Sequence, residues 1–299
     1  MTGVQTCALP ICFDYLSLGP ALPNEPQSYR LIPQMLAETQ RCFFGGLMTR
    51  PEGLDLAAVR ACAEVIAAAA QQTPDGFANL RFAALANVAP GGPFFPAAYH
   101  AERQPACFAL ALEAADVALE AFAGAKTLAE AQRALLAALE KATDALLPVA
   151  EALALRYKLN FSGFDVSLAP FPGAATSLGG ALEQLGLPAL GLAGSTAAAA
   201  FLASTLDRGR WRRVGFNGLM LPVLEDSTLA LRAGDGTLTG RDLLLFSTVC
   251  GAGLDTLPLP GNSTPEQLSA LLLDVAALAC RLNKPLTARL MPVPGKVAG

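Results

Sequence analysis

The sequence predicts an α/β fold, with a parallel or mixed sheet covered by helices. Three observations lead there. Short β-like runs alternate with longer helical ones from residue 12 onward. The length of 299 residues is enough to bury a large core. No tandem repeat or long linker divides the chain, so residues 12–299 are expected to form one elaborated domain.

The elements follow in order. CFDYLSL (12–18) reads as a buried strand, and a Pro-rich loop leads from it to a helix around Tyr29–Gln40. CFFGGLM (42–48) is a second strand, Leu56–Gln71 a helix, and LRFAALANV (80–88) a third strand. A loop, GGPFFPAAYH, then precedes the strand ACFALAL (106–112). Leu128–Lys158 carries Ala and Leu on one face and charge on the other, which predicts a long amphipathic stretch interrupted near Pro148. NFSGFDVSLAP (160–170) returns to strand, and GLAGSTAAAAFLAST (191–205) reads as a loop entering a helix capped by Ser195 or Thr196. The last third repeats the alternation: VGFNGLMLPV, a helix near Gly240–Val249, and CGAGLDTLPLP as a strand with its entrance loop. A helix over Thr264–Leu282, opened by Ser263 or Thr264 with Pro265, and finally PLTARLMPVPGK complete it.

Composition excludes several function classes. The chain is 53% apolar and 15% charged, which is globular and not disordered. A formal charge of -4 leaves no basic surplus for a nucleic-acid backbone or an anionic membrane surface. The alanine-rich stretches are broken by Arg60 and Glu64, and by Glu113, Asp116 and Glu120, so none offers a membrane span. Seven cysteines at 7, 12, 42, 62, 107, 250 and 280 form no paired framework, which predicts reduced thiols and a cytoplasmic location. A small-molecule ligand and a second copy of the chain are the partners left open, and no motif specifies a cofactor or a metal. Residues 1–11, MTGVQTCALPI, resemble the translation of a sequencing-library adapter with GTG as start, and are set aside from fold reasoning.

Several residues could carry chemistry. His100 is the only histidine and follows the stiff loop PGGPFFPAAY, where an imidazole could act as acid or base; a loop histidine bonded to backbone is the alternative. Cys250 precedes GAGLDT, so its thiol has small neighbours and the carboxylate of Asp255 nearby in sequence. It reads as a nucleophile or radical carrier, or as a packing cysteine. Gly194, Ser195 and Thr196 would open a helix and could cradle an anion, or serve as an ordinary cap. Asp165 in FDVSLAP is a carboxylate within an apolar strand run, and so is either functional or structurally paired. Glu225 and Asp226 open a helix or, less simply, bind a metal. Lys284, Arg289 and Lys296 gather near the last strand and could neutralise an acidic ligand.

FDVSLAP, the GSTAA loop, GFNGLMLPVLED, CGAGLDTLPLPGN and LNKPLTARLMPVPGK occur in this order, after FDYLSLG, LAETQRCF and LRFAALANVAPGGPFFPAAYH. The ordered set resembles the uncharacterised family known as domain of unknown function 711, or uncharacterised protein family 0210. The resemblance implies a fold similar to the pyruvate formate-lyase-like barrel, ten strands in two five-stranded halves with helices outside and a loop entering the interior. Family members are longer at both ends, so the chain is expected to be an incomplete ten-stranded α/β barrel. In that superfamily the interior loop presents a thiyl-forming cysteine, a place that Cys250 would take here. The glycyl-radical motif Arg-Val-x-Gly-Tyr or Phe is absent. The implied function is an enzyme acting on a small metabolite in the barrel, with Cys250, His100, Asp165 and Asp255 in its lining, or a non-catalytic ligand-binding protein on the same fold.

Overall fold

A computed structural model describes residues 13–101, 105–251 and 253–297. The adapter-like residues 1–11 lie outside the described residues. The fold is mixed α/β. In chain order its elements are β1 (Leu16–Ala21), α1 (Pro26–Glu38), β2 (Cys42–Leu47), β3 (Thr49–Arg50), β4 (Gly53–Leu54), α2 (Leu56–Ala70) and β5 (Phe82–Ala86). Then come β6 (Cys107–Ala111), α3 (Ala115–Ala123), α4 (Leu128–Tyr157), β7 (Asn160–Asp165), α5 (Leu178–Glu183), α6 (Ser195–Leu206), α7 (Ser227–Gly234) and α8 (Gly240–Phe246). β8 (Gly253–Pro260), α9 (Pro265–Leu282) and β9 (Leu286–Val293) complete the series. The chain divides into two compact units, Met1–His100 with Leu254–Gly299, and Ala101–Gly253.

The first unit is built on a five-stranded sheet in the order β1-β2-β5-β9-β8. β1–β2 and β2–β5 are parallel, and β5–β9 is antiparallel. α1, α2 and α9 pack on the sheet and on each other. Each presents one apolar stripe at helical spacing: Tyr29, Ile32 and Leu36 in α1; Val59, Cys62 and Ile66 in α2; Leu268, Leu272, Val275 and Ala279 in α9. α2 comes close because β2 offers no side chain at one place. A Cβ on Gly46 would lie 2.7 Å from Cys62 Sγ, and that thiol instead donates to Gly46 O. Asp55 caps α2, and Thr264 with Gln267 forms a capping box on α9, so of the two residues expected to open that helix Thr264 does so.

The second unit pairs β6 and β7 in parallel and extends β7 through isolated bridges, Phe164 with Arg213 and Leu168 with Leu219. α4 buries Ala131, Leu135, Leu139, Thr143 and Ala150, a stripe at roughly four-residue spacing. Phe161 meets Phe108 and Phe164 at centroid distances of 5.2 and 5.1 Å and anchors the strands to the core.

Two expectations are corrected. α4 runs unbroken through Pro148: the proline is exposed, and so is Asp144, whose carbonyl loses its N–H partner, so water can replace the missing donor. Residues 214–223 form no strand, because Gly215, Asn217 and Gly218 fold into a turn with Asn217 at φ +47. The pairing of described residues gives one five-stranded and two two-stranded sheets, and no closed ring of strands. The parallel-rich α/β class holds at that coarser level. Among the described residues no helix is long and apolar enough to cross a membrane.

A glycine fixes one more approach in the second unit. At Gly191, φ is +98 and a Cβ would stand 2.0 Å from Thr237 O. Gly191→Ala is therefore expected to cost about 3 kcal/mol, the sum of a left-handed penalty and overpacking. Urea unfolding showing a loss below about 1 kcal/mol would mean that the loop moves aside freely.

Candidate functional site

Among the described residues of the first unit, the helices α1, α2 and α9 lie on one face of the five-stranded sheet and none lies on the other, here the helix-free face, and strand register assigns residues to each. Gly46 looks toward Cys62 and lies opposite Ala84, which lies opposite Ala288. Alternation then places Phe43, Leu47, Leu85, Thr287 and Arg289 on the other face. Part of the loop after β5 covers that face: Phe95, Ala97 and Tyr99 pack against Ala83, Leu85 and Val88. The loop is tied at its base by hydrogen bonds from Gly91 N to Tyr99 O at 2.6 Å and from Tyr99 N to Gly92 O at 3.0 Å.

An aromatic series crosses the face and ends on an ion pair. Tyr15 meets Phe43 at 5.0 Å, Phe43 meets Phe95 edge-on at 4.9 Å, and the Arg289 guanidinium lies 5.7 Å from the Phe95 centroid. Arg289 in turn donates from Nε to Asp255 Oδ1 in a short contact. Asp255 is 2% exposed and the Arg289 side chain 12%, so the pair is withdrawn from water. The second carboxylate oxygen, Asp255 Oδ2, is buried with no hydrogen-bond partner. A buried acceptor left unpaired costs about 1–3 kcal/mol. The next residue, Thr256, is buried at φ +38, an outlying conformation for a β-branched residue that costs on the order of 1–3 kcal/mol. Strand β8 thus carries two unfavourable features side by side, an orphaned carboxylate oxygen and a strained backbone.

His100 belongs to the same unit and stands exposed at the end of the loop that brings Phe95 to Arg289. The other candidates lie in the second unit. Asp165 is 3% exposed, and its carboxylate accepts from Ser167 Oγ (2.6 Å), Phe216 N (2.7 Å) and Asn217 N (2.9 Å). Asn217 Oδ1 continues the knot by accepting from Trp211 Nε1 (2.7 Å) and Val166 N (3.1 Å). Asp165 thereby pins the 211–218 turn to the end of β7. Cys250, 4% exposed, sits just past α8 with its N–H on Phe246 O. Its neighbour Gly251 runs against the same turn, with its N 4.0 Å from where a Gly218 Cβ would stand.

At the start of α6, Gly194 and not Ser195 or Thr196 occupies the cap position, because φ +101 suits only glycine. The Ser195 hydroxyl folds back, donating to Leu192 O (2.7 Å) and accepting from Gly191 N (3.0 Å). Asp226 is the cap of α7, the helix-opening role expected for it, and it also reaches Ser177 and Gly179 at the start of α5. Among the described residues, no group of three His, Cys, Asp or Glu side chains is placed to hold a metal ion.

Next to these caps, Arg232 donates to both Glu183 oxygens at 2.7 and 3.0 Å, and this hydrogen bonding holds the Glu183 carboxyl below its ordinary value of 4.5. A depressed carboxyl contributes stability above its unfolded value and loses it as pH falls through the folded one. The wild type is therefore expected to lose more stability between about pH 5 and pH 3 than Arg232→Met, as read by thermal unfolding across pH. Parallel curves would show that the pair contributes nothing.

Sequence reasoning singled out Asp255 but not its partner or its orphaned oxygen. Arg289 stood out only as one of three cations near the chain end, and Phe95 only as part of a Pro-rich loop. The signal that could have joined them was the single charged residue in the strand LTARLMPV, Arg289, and the single charged residue in GLDTLPLP, Asp255.

Comparison with known proteins gives a consistent result. The model of the family described as Uncharacterised ACR (DUF711) matches residues 14–299. A UPF0210 protein of Pyrobaculum aerophilum is 34% identical over 257 residues, covering 83% of this chain and 56% of the relative. Those of Pyrobaculum arsenaticum and Halothermothrix orenii are 32% and 31% identical, covering 83% and 90% of this chain and 56% and 62% of the relatives. The chain thus spans about three-fifths of the length of these relatives.

Proposed function

This chain belongs to the family described as Uncharacterised ACR (DUF711), and from that premise we propose that it handles a small metabolite on the helix-free face of the five-stranded sheet, with Asp255 as the group that receives it. The observation that carries the reading is the buried Asp255 Oδ2 without a partner, next to a strained Thr256. Folds keep such costs at ligand sites, where the bound molecule supplies the missing contact. In the finer fold reading, the sheet is one five-stranded half of a pyruvate formate-lyase-like barrel whose helix-free face is the interior. Five strands with helices on one face alone support that reading.

The proposed site residues, all in this unit, are Asp255, positioned by Arg289, and His100, an acid–base candidate on the loop carrying Phe95. The second unit carries separate candidates, Asp165, Cys250 and the Gly194–Thr196 turn. Ligand holding without chemistry is the better supported form. Asp165 is engaged by three donors in a structural turn and Cys250 is buried, so neither is ready to react as it stands.

The test is thermal-shift screening of the whole chain against metabolites, followed by hydrogen exchange on any stabilised complex. New protection in residues 89–100, 253–260 and 286–293 is the expected outcome. Protection confined to residues 105–251 would sink the reading. Cys250→Ser separates the two forms: unchanged ligand stabilisation with no turnover in either protein supports binding, whereas wild-type turnover lost in the variant supports thiol chemistry.

A further inference from the structure

Resting on the site proposed above, we infer that Asp255 Oδ2 selects an uncharged molecule that donates one neutral hydrogen bond, from a hydroxyl of a small polyol or an N–H of a small amide. The orphaned atom is an acceptor, so its complement is a donor. The charge of the donor follows from the neighbour. Arg289 already neutralises Asp255 through Oδ1, and both side chains are largely out of water. An ammonium would bring a like charge beside the Arg289 guanidinium in that low-dielectric setting. A carboxylate would set its oxygens against Oδ2 and offer no donor. A neutral hydroxyl or amide N–H completes the pairing with no change in net charge.

The rest of the face agrees with a small, partly apolar molecule. Phe43, Phe95 and Leu47, each half-buried, present carbon, and the Phe95 ring already lies against the Arg289 guanidinium. Thr287 stands on the same face, opposite Leu85. A ligand that bonds Oδ2 therefore rests its carbon skeleton on the aromatic series, while its remaining polar groups stay toward the loop 89–100.

Four fragments of similar size test the class in the whole wild-type chain: xylitol, 2-pyrrolidinone, butylammonium and butyrate, by thermal shift and calorimetry. Xylitol or 2-pyrrolidinone is expected to raise Tm by about 3 °C at tenfold excess over its Kd, with the two charged fragments inert. Whichever of the neutral pair acts identifies the source of the donor, and if both act each must displace the other. Asp255→Asn should abolish the shift. Phe95→Leu, a change at a half-buried loop residue, should weaken it several-fold and serves if the Asn variant does not fold. Butylammonium or butyrate binding that Asp255→Asn or Phe95→Leu weakens would overturn this inference and leave the proposed site standing. A neutral fragment binding equally to both variants and the wild type, or no stabilisation by any fragment, would overturn the inference and count against the site as well.

Discussion

Replacing Arg289 with Met is expected to cost about 3–5 kcal/mol of stability at neutral pH, whereas the double replacement Asp255→Leu with Arg289→Met costs less than the single one. The reason is the asymmetry of buried ion pairs. Their mutual attraction roughly offsets the desolvation of both charges, but deleting one partner strands the other. In the Met variant Asp255 would hold a buried, uncompensated carboxylate with both oxygens unpaired. Urea unfolding of both variants at neutral pH measures this. A double variant as unstable as the sum of its singles would show that the pair is held by packing and not by charge.

The Asp226→Ala variant is expected to lose on the order of 4 kcal/mol, with a fall in Tm of roughly 8–16 °C. Its carboxylate is buried and serves two helices at once. Oδ1 accepts from Ser177 Oγ (2.6 Å), Thr228 N (2.9 Å) and Leu229 N (3.1 Å), and Oδ2 from Gly179 N (3.0 Å). Truncation removes the cap of α7, releases Gly179 at the start of α5, and strands donors where water does not reach. The comparison is Asp242→Ala, a half-exposed capping-box residue of α8, for which about 1 kcal/mol is expected. Equal losses for the two aspartates would refute the claim that burial and double use set the cost.

These two carboxylates show what pattern reading reaches. Asp226 stood before a helical run, and a cap is a local device, so its role was legible. Its second role at α5 was not, because Ser177 and Gly179 lie about fifty residues away and α5 itself, a six-residue helix, is too short to show periodicity. Asp165 reads from the sequence as either functional or paired. Its three donors include the backbone of Phe216 and Asn217, which no spacing rule connects to it. The unbroken α4 has a like cause: proline's penalty depends on whether the freed carbonyl meets water, and exposure is a tertiary property.

By itself the sequence determined the α/β class, the family, most helix boundaries through their caps and apolar stripes, and the candidacy of Asp255. All of these are local or cumulative signals, written in periods of two and 3.6 residues and in turn chemistry. Only the tertiary structure decided that β9 lies between β5 and β8, that Arg289 meets Asp255 across 34 positions, and that one oxygen of that carboxylate is buried without a partner. The physical reason is that burial and pairing of a charge are set by what strand order brings alongside it, and strand order joins segments whose separation along the chain carries no periodic trace.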